Sequence, residues 1–472
     1  MQSGIVSSKD TSEKIPEGEL NEFRIGLRGQ LLQSNDAGYE EARKVWNGMI
    51  DKRPAMIVRC AGVSDVLTCV RFAKKHGLVV AVRGGGHNVA GNATCDGGML
   101  IDFSKMKSVR VDPRNRTAQA EPGLTWSELD RETQQFGLAV TGGLVSNTGI
   151  AGFTLGGGVG WLARKYGLTL DNLISADVVT AEGKLLKASA TENPDLFWGI
   201  RGGGGNFGII TSFEYELHPV GPTVLGGMVI LPISKGKELL RFYGDFARTA
   251  PDELTTVVAM ITAPPAPFLP REIQNTKVIA VAGCYIGPFD QGQKVIEPLT
   301  SFDPSGINLF QQLPYRVLQS LLDASAPPGI QNYWKSEYIE ELSDEAIETI
   351  LEFFSKAKSP LSAVHLHQMG GAISRVPEES TAYSHRDASF ILNIIASWID
   401  PRENAEHINW SREFFGRMER YSRGGVYVNF LGEEGQHRVR AAYGDAKYKL
   451  LVDLKRKYDP TNFFRLNQNI AP

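Results

Sequence analysis

Apolar positions recur at helical spacing over 64–76 (SDVLTCVRFAKKH), where Ser64 is placed to cap the first turn and basic residues fill the last. The run LVVAV at 78–82 reads as a short buried strand that leads straight into a glycine-rich loop. Further strands are expected at 99–102, 117–121 and 177–181, and a helix at 125–136. From residue 223 the texture changes to alternating strands at 224–230, 254–261, 277–285, 363–369 and 389–398. These are separated by helical stretches at 235–249, 292–300, 344–358 and 405–421. The segment APPAPFLP at 263–270 is too proline-rich for either element and reads as a surface loop at a pocket rim. An amphipathic helix at 444–458 is stopped by Asp459-Pro460. Two α+β units in succession are the simplest organisation of this pattern.

Composition narrows the class. Of 472 residues, 42% are hydrophobic and 22% charged, which excludes disorder, collagen and coiled coil. A net charge of −3 gives no general attraction to nucleic acid or anionic membrane, so a small-molecule partner is expected. Cys60, Cys69, Cys95 and Cys284 have neither CxxC pairing nor repeated spacing, so no disulfide framework or zinc site is indicated. Charges at Lys9, Asp10, Glu13 and Lys14 break the apolar stretch a signal peptide needs. The reading is a cytoplasmic protein, monomer or homodimer, with a flexible leader over 1–20.

Glycine is in excess at 50 residues, and the informative ones cluster within 83–208: RGGGHNVAG (83–91), TGG (141–143), GIAGFTLGGGVG (149–160) and RGGGGNFG (201–208). Successive glycines let backbone N–H groups converge on one anion. The GxGxxG match at 203–208 runs into an alternating strand, where a dinucleotide fingerprint requires a helix. With no dinucleotide fingerprint left, NAD(P)-dependent reduction is disfavoured, and the absence of GxxxxGK[ST] disfavours nucleotide hydrolysis.

The ordered motifs RGGGHNVAG, TGGLVSNTGIAGFTLGGGVGWLARKYGLTLDN, DLFWGIRGGGGNFGIIT, YVNFL and DPTNFFRLNQNI strongly resemble the flavoprotein family of p-cresol methylhydroxylase and vanillyl-alcohol oxidase. The closing YVNF…NQNI resembles its berberine-bridge-enzyme-like branch. The resemblance implies an α+β, two-domain flavoprotein. A PCMH-type FAD-binding domain would occupy 21–222, and an antiparallel-sheet substrate domain covered by helices 223–425. A C-terminal segment, 426–472, would return to the FAD domain. It also implies that Arg83, Gly84, Gly85, Gly86, Asn88 and Gly91 wrap the FAD pyrophosphate, with His87 bonded to the flavin 8α-carbon. Asn147, Thr148, Gly149, Gly152, Gly157 and Gly158 would line the isoalloxazine and ribityl part, and Ile209 the adenine side. Tyr427, Asn429, Asn467 and Gln468 would close on the flavin from the C-terminal segment. Members with a second flavin linkage carry a cysteine where this chain has Val145, so a single linkage through His87 is expected.

The family's glutamate base on a substrate-domain strand is missing from SFILNIIASW (389–398), where Ile391 or, one register slip away, Asn393 stands nearest. In VHLHQM (364–369), His365 and His367 alternate with Val364 and Leu366, so one strand face presents two imidazoles. Histidine titrates near neutrality and can take up a substrate proton; a metal-binding pair, for which no third ligand is evident, and two solvent-facing histidines are the alternatives. Tyr333, Trp334 and Lys335 are expected before a helix at the pocket border. The function expected is an FAD-dependent oxidase acting on a CH–OH or CH–NH group with O₂ as acceptor. A dehydrogenase with another acceptor, or a non-catalytic flavin carrier, are the alternatives.

Overall fold

The computed structural model describes residues 15–267 and 269–472. The expected leader falls largely outside the described residues, and its last part is not loose: Glu17–Ile25 is a helix whose Phe23 is buried. In the N-terminal half, β1 (Gln30–Leu32), β2 (Met56–Arg59), β3 (Val80–Arg83) and β4 (Met99–Asp102) form a sheet ordered β1-β2-β4-β3. Its inner pairs β2–β4 and β3–β4 are parallel and wholly apolar in the middle, as a sheet covered on both faces requires. The covering helix Val63–Lys75 starts one residue earlier than expected, and Ser64 is not its cap. The buried Asp65 carboxylate instead accepts the amides of Arg28, Gly29 and Ala61 at 2.8–2.9 Å, tying the helix start to two loops.

A second sheet is antiparallel. β5 (Val109–Asp112) and β6 (Thr117–Ala120) precede the short β7 (Leu138–Ala139). β8 (Leu173–Val179), β9 (Leu185–Ser189) and β10 (Ile209–Glu216) follow, in the order β5-β6-β10-β8-β9, while β11 (His218–Pro219) pairs β7. Helix Trp126–Thr133, opened by a Thr125–Glu128 capping box, packs on this sheet.

The larger sheet is built from β12 (Thr223–Pro232), β13 (Leu254–Thr262), β14 (Lys277–Tyr285), β15 (Ile307–Asn308), β16 (Gln311–Pro314), β17 (Gln331–Ile339), β18 (Ala363–Gln368) and β19 (Phe390–Trp398). Its order is β15-β12-β14-β13-β18-β19-β17, with β16 also on β12. Helices Gly236–Thr249, Asp344–Ser355 and Asn404–Met418 bury Leu240, Tyr243, Ile347, Ile350 and Phe414 against Val258, Val364, Leu366 and Leu392. This covers one face and leaves the other toward the N-terminal half. The segment 333–335, expected to precede a helix, lies inside β17, paired along its whole length with β19. The C-terminal helix Gln436–Tyr458 begins before the expected 444, with a break at Gly444, and its Leu451 and Leu454 join the core beneath β8 and β10.

Candidate active site

Between the free face of the large sheet and the glycine loops lies a cavity of about 1080 Å³. Among the described residues lining it, none carries a formal charge.

One wall is glycine-built. Gly84, Gly85, Gly86, His87 and Asn88 line it next to Thr148, Gly149 and Gly152. A Cβ on Gly85 would lie 2.5 Å from the nitrogen of Gly149, so the two loops meet back to back through bare backbone. Among the described residues no protein acceptor takes the amides of Gly85, Gly86, His87 or Asn88. Orphan amides facing a cavity without charged side chains are the donor set that suits a pyrophosphate.

His87 stacks on Trp46 at 5.5 Å, with one ring nitrogen bonded to the backbone carbonyl of Asn147. Burial pushes its pKa down to about 4 against that bond, so the imidazole is neutral at pH 7 with its second nitrogen unprotonated. Val145 also lines this wall, and none of the four cysteines does. Gly208, Ile209 and Ile210 continue it, as do Asn467 and Gln468 of the C-terminal segment. The turn 203–206 is held to that segment through Asn206, which accepts from the Ile470 amide (2.9 Å) and donates to the Gln468 carbonyl (3.1 Å).

Several residues expected at the cofactor stand elsewhere. The Arg83 guanidinium is drawn into an ion pair with the buried Asp102 (3.1 Å) and onto the Lys44 carbonyl (2.9 Å). Gly91 is packed on Ile50. The Asn147 side chain is exposed, and only its carbonyl meets the site. Gly157 and Gly158 lie behind the wall, against Tyr383, Tyr427 and Thr169.

The opposite wall is the sheet. In antiparallel strands directly paired residues share a face. His365 pairs Asn393, so His365, His367 and Asn393 enter the cavity together, while Ile391 packs among Tyr338, Tyr383 and Tyr427. The alternative of solvent-facing histidines does not hold. Burial drives His365 down to about 4, and burial together with the neighbouring His365 drives His367 to about 3. Their expected titration near neutrality is therefore corrected: both stay uncharged at pH 7. Among the described residues neither ring nitrogen of His367 has a partner, and Asn393 Oδ1 and Trp334 Nε1 are likewise buried without one.

Tyr427 and Asn429 do not share a strand face, because Val428–Phe430 is a 3₁₀ turn. The turn still brings them together. Tyr427 Oη accepts from the Gly158 amide (2.8 Å) and from Asn429 Nδ2 (2.9 Å). Burial raises this phenol to about 12 even against those two donors. Trp46, Trp334 and Phe430 complete an aromatic rim with centroids 5.6–5.7 Å apart. Trp46 carries no local sequence signal, since its role depends on meeting His87 in space.

The chain matches an FAD binding domain model over residues 54–189 and a berberine and berberine-like model over 426–471. It is 34% identical to an FAD-linked oxidoreductase of Dictyostelium discoideum, covering 96% of this chain and 97% of that one. It is 30% identical to (R)-6-hydroxynicotine oxidase of Paenarthrobacter nicotinovorans, covering 95% and 98%. Among solved structures, 6-hydroxy-D-nicotine oxidase from Arthrobacter nicotinovorans superposes with a TM-score of 0.85 at 29% identity, covering 94% and 98%. A chitooligosaccharide oxidase gives 0.84 at 25% identity, covering 96% and 99%.

Proposed function

For this chain, which belongs to the berberine and berberine-like family of FAD-linked oxidoreductases, we propose an oxidase. In this reading it removes two electrons from a CH–OH or CH–NH group of a small organic molecule, with FAD attached through His87 alone and O₂ as terminal acceptor. The expected fold class, an α+β PCMH-type flavoprotein with an antiparallel substrate sheet, is borne out. Among the described residues no helix is long and apolar enough to cross a membrane.

The observation that carries the proposal is the opposition of the two walls: orphan glycine-loop amides and a neutral His87 face two neutral imidazoles and Asn393. The chemistry FAD supplies when bound is acceptance of a hydride. Everything else falls to this chain. The amides of 85–88 hold the pyrophosphate, and Gly149 and Gly152 let the cofactor approach bare backbone. The free nitrogen of His87 is the attachment point, while Val145 offers no second one. One imidazole of the His365–His367 pair accepts the hydrogen bond of the substrate O–H or N–H and receives that single proton as the C–H bond is broken. Tyr427 Oη, fixed by Gly158 and Asn429, sets the polarity beside the reacting carbon. Three of the four similar proteins are oxidases by name, which supports O₂ as acceptor. Screening alcohols and amines for anaerobic loss of flavin absorbance, then for peroxide release on admitting air, tests this. Bleaching without peroxide points to a dehydrogenase, and no bleaching by any candidate contradicts the proposal.

A further inference from the structure

The substrate sheet continues past the imidazoles. Its register places Ile230, Ala280, Ala259, His365 and Asn393 in one row across five strands, all on the cavity face. The adjacent row holds Val278, Ile261, Ala363, Ile395 and Trp334, each in the cavity lining. Polarity is divided along these rows. The hydrogen-bonding atoms without partners, His367 Nδ1 and Nε2, Asn393 Oδ1 and Trp334 Nε1, belong to β17, β18 and β19. On β12, β13 and β14 the lining is Gly226, Gly227, Met228, Ile230, Ile261, Thr262 and Val278, with Leu309, Gln311 and Leu313 beside them, so its side chains are apolar but for Thr262 and Gln311. Ala263, Ala266 and Leu269 roof it, in a segment pinned by Gln274 Nε2 to the carbonyls of Ala266 (3.0 Å) and Leu269 (2.8 Å). At about 4.8 Å per strand, the three steps from β18 to β12 span roughly 14 Å.

We infer that this apolar arm receives the hydrocarbon tail of the substrate. The substrate is then an uncharged, amphipathic alcohol or amine whose reacting head is held by His365, His367 and Asn393. The inference rests on the oxidase reading only for the head; the arm is a property of the sheet. Small floor residues, Ala259 and Ala280, leave room above β13 and β14 that leucines or valines would fill. An unpaired charge is excluded there, because nothing on the sheet side of the cavity compensates its lost hydration. A sugar is disfavoured, since its hydroxyls would lie against Ile230, Ile261 and Val278 without partners.

Isothermal titration of the holoenzyme with 4-alkoxybenzamides, which have a polar head but no oxidisable carbinol, measures the arm without turnover. Each buried methylene tightens binding by about fourfold, so butoxy binds more than tenfold tighter than methoxy. At neutral pH 4-butoxybenzoate binds at least tenfold more weakly than the amide. The variant Ile261→Trp flattens the tail series while leaving the methoxy compound's affinity unchanged. Ile261→Phe serves if the tryptophan variant does not fold. Affinity independent of tail length, equal binding of the carboxylate, or a tail series unmoved by the variant overturns the inference. If the tail series holds while no alcohol or amine bleaches the flavin, the oxidase reading fails and the arm stands; bleaching with a flat series is the reverse.

Discussion

Replacing Lys455 by methionine keeps the length and volume of the side chain and removes only its charge and donors. In the folded protein Lys455 Nζ donates to Asp459 Oδ2 (2.7 Å) and to the carbonyls of Asn206 (2.8 Å) and Phe464 (2.9 Å). Both members of the ion pair are fully shielded, at 0% side-chain exposure. Breaking a buried pair by deleting one partner costs about 3–5 kcal/mol, most of it the uncompensated charge left behind. Here Asp459 keeps the amides of Phe463 (2.7 Å) and Phe464 (2.8 Å), which places the loss near 3 kcal/mol. That is a factor of roughly 150 in the unfolding equilibrium. The same ammonium ties the turn 203–206 to the 464–470 segment, so flavin retention falls together with stability. Guanidinium unfolding followed by tryptophan fluorescence and by flavin absorbance reads both. Lys457→Met is the matched control, because Lys457 is 59% exposed in its pair with Asp195 and is worth less than about 1 kcal/mol. A Lys455→Met midpoint indistinguishable from that control refutes the reasoning.

His365→Ala and His367→Ala should each lower kcat/KM by about 10²–10⁴ in steady-state assays, and near-wild-type turnover in both removes them from the chemistry. Tyr427→Phe leaves the Gly158 amide without its acceptor and Asn429 Nδ2 with the Phe153 carbonyl alone; an unfolding free energy lower by about 1–3 kcal/mol is expected, together with slower flavin reduction. Asp130 is buried with neither carboxylate oxygen paired among the described residues, and burial raises it to about 8. Its proton is held in the folded chain and released in the unfolded one above about 4, so stability declines as pH rises from 4 to 8. Asp130→Asn should abolish that decline and leave the variant more stable than the parent at pH 8 by a few kcal/mol, measured as unfolding midpoints at pH 5, 7 and 8.

The sequence carries much of the large sheet: the apolar run 277–285, bounded by polar and turn residues, matches its strand to the residue, and the imidazole face of β18 follows from its period of two. β17 was missed for a physical reason. Its outward positions are Lys335 and Glu337, which look like a solvated surface, yet the C-terminal segment buries them in ion pairs with Glu434 (2.5 Å) and Arg438 (3.0 Å). Charges satisfied by a partner about a hundred residues away have no local signature. Arg83 shows the same limit at the site, since Asp102 draws it out of a loop whose next five residues, 84–88, line the cavity. The protonation state of His365 and His367 was equally hidden, because it is set by burial beneath a wall from the other half of the chain.

The central claim is that His87 holds FAD across the cavity from the substrate sheet. Mass spectrometry of the denatured, protease-digested protein tests it most directly. The account predicts one FAD, less two hydrogens, on the peptide containing His87, and loss of that adduct in His87→Ala. Release of all flavin on denaturation, or its appearance on a peptide without His87, contradicts it.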